Sequence, residues 1–78
     1  MSGERWLRRN DPKFPGYDSW AKRVGEWTVE VEGAEDKYTA TIQRRRNDGT
    51  VDMRPLGGSF ETLEKAMHAG EAAARTSH

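Results

Sequence analysis

The sequence contains no cysteine, so neither a disulfide framework nor a cysteine-ligated zinc can hold the fold together. It is also poor in aliphatic bulk. Leu, Ile, Val and Phe supply only ten of the 78 residues, well under the ~20% usual in globular chains. Such a deficit signals disorder when it comes with a large net charge, but here thirteen basic residues balance thirteen acidic ones. Three tryptophans restore part of the missing apolar volume. No apolar run approaches the ~20 residues that span a bilayer. Residues 1–10 set Glu4, Arg5, Arg8 and Arg9 around Trp6 and Leu7, which is not the apolar stretch of a secretory signal. The expectation is a cytoplasmic protein without membrane contact. Zero net charge removes the strongest electrostatic argument for nucleic acid, although charge distribution still matters.

What is present divides into two parts. Residues 1–25 carry six basic and three acidic residues together with Trp6, Phe14, Tyr17 and Trp20. Pro12, Pro15 and Gly16 interrupt regular structure in the middle of this stretch. Asp18 or Ser19 is placed to cap a short helical turn over 19–24, with Gly25 as its stop. This part is expected to be an irregular, partly ordered aromatic and basic arm.

Residues 26–78 read as one domain. Trp27, Val29 and Val31 alternate with polar residues, as do Tyr38, Ala40 and Ile42, then Val51 and Met53. A two-residue period marks half-buried strands, expected at about 27–32, 38–45 and 50–54. Gly33 to Asp36 and Asn47-Asp48-Gly49 are turn signals short enough to make all three strands antiparallel. A helix is expected over about 62–76. Thr62 is its N-cap, and Leu63, Ala66, Met67, Gly70, Ala73 and Ala74 lie on one face. The fold class is therefore α+β: a three-stranded antiparallel sheet with one C-terminal helix packed on one face (β-β-β-α), preceded by the irregular arm. Val51, Met53 and Phe60 are expected in the core. Thr28, Glu30, Glu32, Thr39, Thr41, Gln43, Arg45, Thr50, Asp52 and Arg54 are expected on the bare face of the sheet.

The segment Tyr38-Thr-Ala-Thr-Ile42, followed by Gly57-Gly-Ser-Phe60-Glu-Thr62-Leu-Glu-Lys-Ala66 and the small-residue run Ala69 to Ala74, resembles the ethylene-response-factor (Apetala-type) DNA-binding domain of plants. It is similar also to the arm-binding domains of phage integrases. The resemblance covers about 37 residues and implies a β-β-β-α fold whose bare sheet face enters the major groove through arginines and tryptophans. On the face expected here two arginines stand against three carboxylates. A surface that meets the duplex normally gains by neutralising several phosphates.

The chemistry-bearing residues point to binding. Ser19, Ser59 and Ser77 lie in no nucleophile-elbow sequence, and Gly57-Gly58-Ser59 lacks the lysine of a phosphate loop. Glu64, His68 and Glu71 share a helix face, as an ordinary polar face would. The sequence implies no enzyme, no cofactor, no metal and no small-molecule substrate. It implies a non-catalytic binding or accessory module acting through a protein partner or a second copy of itself, with Trp6 and Trp20 as candidate partner contacts. The alternative is a nucleic-acid-binding domain in which Arg44, Arg45, Arg46 and Arg54 make the contacts and Arg8 and Arg9 form a flexible arm.

Overall fold

The computed structural model describes residues 5–9 and 16–77. Five antiparallel strands form one sheet in chain order: β1 (Leu7–Arg8), β2 (Asp18–Val24), β3 (Trp27–Ala34), β4 (Lys37–Arg45) and β5 (Val51–Pro55). A single helix, α1 (Leu63–Thr76), follows and packs on one face. The class is α+β with an antiparallel sheet and a C-terminal helix, but the sheet has five strands and not three. Part of the expected arm belongs to it.

The helical turn expected over 19–24 is instead the body of β2. Trp20, Lys22 and Val24 stand opposite Val31, Val29 and Trp27, so all three face the helix side. The lysine in the middle of this row hides the apolar period. Gly25 does not stop a helix. It takes a φ of 61° at the first position of a two-residue hairpin between Val24 and Trp27, the place where such turns favour glycine.

The face of β5 is also reversed. Arg46 N–H donates to the Thr50 carbonyl, closing a loop over Asn47, Asp48 and Gly49, with Gly49 at a φ of 90°. A three-residue loop of this kind shifts the register by one residue from the two-residue turn, and such a shift exchanges the faces of the whole strand. Gln43 therefore stands opposite Met53, and Arg45 opposite Val51, on the bare face. Asp52 and Arg54 lie on the helix side opposite Arg44 and Ile42. Val51 and Met53, expected in the core, are exposed to 51% and 61%. Asp52 and Arg54, expected on the bare face, are not there.

The core lies between β3, β4 and α1. Trp27, Val29, Val31, Tyr38, Ala40, Ile42, Ala66 and Ala74 are buried, with Trp6, Val24, Leu56, Phe60, Leu63, Met67 and Ala73 packed around them. Phe60 holds the strand-to-helix connection by exchanging backbone hydrogen bonds with Tyr38. Thr62 caps the helix through its hydroxyl, which accepts from the Lys65 N–H at 3.1 Å. Small residues let α1 lie close to the sheet: a Cβ on Gly70 would collide with Cγ1 of Val29. The thin aliphatic content is thus offset by a short helix-to-sheet distance and by tryptophan. The helix does not reach β5.

Candidate binding surface

Two sets of side chains leave the sheet. On the helix side, charges sit among aromatic rings and are answered. Lys22 on β2 donates to Glu71 on α1 at 2.5 Å, and both side chains are only 18% exposed. This contact links residues 49 positions apart, and Trp6 lies over the ammonium with its ring centre at 5.9 Å. The hydrogen bond from Lys22 holds the Glu71 carboxyl below its ordinary range, and the Arg75 charge and the Trp6 indole act in the same direction.

The arginines expected to form one basic cluster are divided by strand alternation. Arg44 turns to the helix side, where its guanidinium lies 4.6 Å from the centre of Trp27. It pairs with Asp52 at 3.2 Å and Glu26 at 3.5 Å, and its side chain is only 17% exposed. Arg46 pairs with the same Asp52 at 2.6 Å. Hydrogen bonds from Arg46 first, then Arg44, hold the Asp52 carboxyl below its ordinary value. Arg54 lies over Trp27 at 5.0 Å. Arg45 alone of this group stands on the bare face.

The remaining expected contacts are internal or on the first strand. Arg8 pairs with Asp18 at 3.5 Å and lies 5.9 Å from the Trp20 ring. Arg9 pairs with Glu30 at 3.8 Å. Trp6 is half-buried against the core. Trp20 is half-buried on the helix side, with its indole N–H buried and without a hydrogen-bond partner among the described residues. The structure therefore does not bring these eight residues together into one site.

The bare face is built differently. Across its middle run Thr28, Gln43, Glu30 and Thr41, with the Gln43 amide donating to Glu30 at 2.6 Å. Toward the β2–β3 turn, Arg23 and Arg45 border an open cleft of about 400 Å³ floored by Thr28, Gln43 and Val51. Neither arginine has a carboxylate partner among the described residues; Arg23 reaches only the Gly25 carbonyl, at 3.3 Å. At the far end Tyr17 stands beside Glu32, and burial followed by the Glu32 charge raises its phenol pKa.

The β5 edge of this face is open. The bonds Leu56 N–H to Ala40 and Arg46 N–H to Thr50 mark the hydrogen-bonded rows of the β4–β5 ladder. Antiparallel rows alternate, so Asp52 and Arg54 direct their backbone groups to β4. Val51 and Met53 direct their N–H and C=O groups outward, as Pro55 does its C=O. No further strand pairs with β5 among the described residues. Sequence reasoning missed Val51 and Met53 as surface residues; the length of the 47–49 loop is the signal that would have placed them.

Among the described residues no three His, Cys, Asp or Glu side chains converge as metal ligands, and no helix is long and apolar enough to cross a membrane. Comparison with known proteins finds no matching family model, no matching curated protein and no matching solved structure.

Proposed function

We propose that the chain is a non-catalytic binding module that works through a protein partner, using the bare sheet face and the β5 edge. The observation that carries this reading is the position of Val51 and Met53: apolar side chains, exposed to 51% and 61%, beside a strand edge with no partner strand among the described residues. Apolar residues on an open edge are an aggregation hazard unless something covers them, and adding a strand to a sheet edge is a recurrent mode of peptide and protein recognition.

The test separates a binding role from a structural one. In protein dilute enough to be monomeric, a Val51→Lys/Met53→Lys variant should keep the thermal midpoint of the parent, because neither side chain touches the core. A photo-reactive residue at position 53 should form a protease-sensitive adduct in the producing cell. A fall of many degrees in the midpoint, or no adduct, contradicts the reading.

A second reading rests on a separate observation: Arg23 and Arg45 border one cleft, and neither is paired with a carboxylate among the described residues, the cleft's own Glu26 being held by Arg44. Those two guanidiniums suit a phosphate backbone. A nucleic-acid module of this kind loses about one unit of salt slope for each arginine replaced by alanine. Titration with a duplex at two salt concentrations checks it, and shifts that ignore salt exclude it.

A further inference from the structure

The edge of β5 is complementary to itself. Asp52 and Arg54 flank Met53 symmetrically, and both lie on the helix side of the strand. Resting on the protein-partner reading above, we propose that the partner is a second copy of this chain. The two β5 strands pair antiparallel about a two-fold axis at Met53, with Asp52 of each copy facing Arg54 of the other.

Three features of the strand support this register. Charge comes first. A pairing centred on Asp52 sets two carboxylates opposite each other, and one centred on Arg54 sets two guanidiniums opposite each other, both unfavourable. A pairing centred on Val51 puts Asp52 opposite Thr50 and forms no ion pair. Only the Met53 centre matches opposite charges, twice by symmetry. Arg54 has no carboxylate partner among the described residues, and Asp52 keeps a carboxylate held in place by Arg44 and Arg46 beside the strand edge.

Backbone groups agree with it. With Met53 at the centre, each Met53 exchanges N–H and C=O with the other, and each Val51 N–H donates to the Pro55 carbonyl of the other copy. Pro55 has no N–H to give, so placing it at the margin costs least. The charged pairs then fall in the non-hydrogen-bonded rows, where opposed side chains come closest.

Apolar surface agrees as well. Val51, Met53 and Pro55 share the bare face, so pairing brings both sets into one apolar strip across a sheet continuous through both copies. The helix does not reach β5, so it does not obstruct the approach.

Sedimentation of the full chain over a wide concentration range tests the proposal. The expected result is a concentration-dependent species of twice the chain mass. Arg54→Asp should weaken it roughly tenfold to a hundredfold, since symmetry repeats each change, while the far-ultraviolet circular dichroism stays that of the parent. Asp52→Arg alone should weaken it likewise. Mixing the two variants should restore a dimer, because every opposed pair is again of opposite sign. Should Asp52→Arg lose its fold, Met53→Pro serves in its place: it removes an N–H that points away from β4 and should abolish the dimer with β4–β5 intact. A dimer indifferent to Arg54→Asp overturns this register. A parent that stays monomeric overturns self-pairing. In that case an adduct from position 53 of a mass other than twice the chain keeps the partner reading, and no adduct removes both.

Discussion

On the helix side of the sheet Lys22, Arg44 and Arg8 each meet a carboxylate, and Trp27 receives two guanidiniums. On the bare face Arg23 and Arg45 have no carboxylate among the described residues, and Leu7, Val51 and Met53 stand in solvent. The strands are the same, and only the parity of the residues differs. A chain with so little aliphatic bulk must pair the charges it half-buries near its core, Lys22, Glu71 and Arg44, because stability there is lost quickly when a partner goes missing. The opposite face carries no such obligation. Its side chains are available for contact with something else, and the β5 edge adds open backbone groups to them.

Substitutions sharpen that contrast, and the largest effects belong on the helix side. Trp27→Ala should cost about 3–5 kcal/mol. That is comparable with the whole stability of a domain this size, at roughly 0.05–0.15 kcal/mol per residue. Urea unfolding should therefore show a largely unfolded population without denaturant; a cooperative transition near the parental midpoint would show that the indole is not central to the core.

Next is Gly70→Ala. Alanine is worth about 1 kcal/mol more than glycine in a helix, yet its Cβ would collide with Val29, and overpacking typically costs ~1–3 kcal/mol. Net destabilisation is expected, partly relieved when Val29→Ala is added. A stabilised single variant would mean that helix and sheet are farther apart than described.

The Lys22–Glu71 contact should weigh about as much. Removing one partner by Lys22→Met leaves a half-buried carboxylate, and about 1–3 kcal/mol is expected from hydrogen bonds of this class. Its pH dependence has a definite sign. The folded state holds the Glu71 carboxyl below its ordinary value of 4.5, so the stabilisation is complete above that value and is lost as pH falls through the lower, folded one. Glu71→Gln should flatten this part of the acid limb of a stability profile. An acid limb unchanged in slope would assign the sensitivity to other carboxylates, Asp52 first among them.

The smallest effect is expected on the bare face. In dilute monomer, Met53→Lys should change stability by no more than about 0.5 kcal/mol, as exposed substitutions usually do. A loss as large as that of Gly70→Ala would erase the distinction between the two faces.

How much of this could be read from the chain depends on the strand. The alternation of Trp27, Val29 and Val31, and of Tyr38, Ala40 and Ile42, is unbroken, because both strands lie under the helix and need every second residue apolar. In β2 the same row contains Lys22, whose partner comes from α1, and a local pattern carries no sign of a contact made at that distance. For β5 the period was right and the face was wrong, since one residue of loop length separates the two outcomes. The arginine run shows a related effect. Three neighbours in sequence look like one patch, but a strand sends Arg44 and Arg46 to one side and Arg45 to the other. Proximity in sequence is division in space wherever the chain is extended.

The claim that β5 carries an open edge is tested most directly by amide hydrogen exchange along that strand in dilute protein. Asp52 and Arg54 should be protected by β4, while Val51 and Met53 exchange as unpaired amides and gain protection as the concentration rises. Protection of Val51 and Met53 in the dilute monomer would mean that the chain covers this edge itself, and would contradict the account.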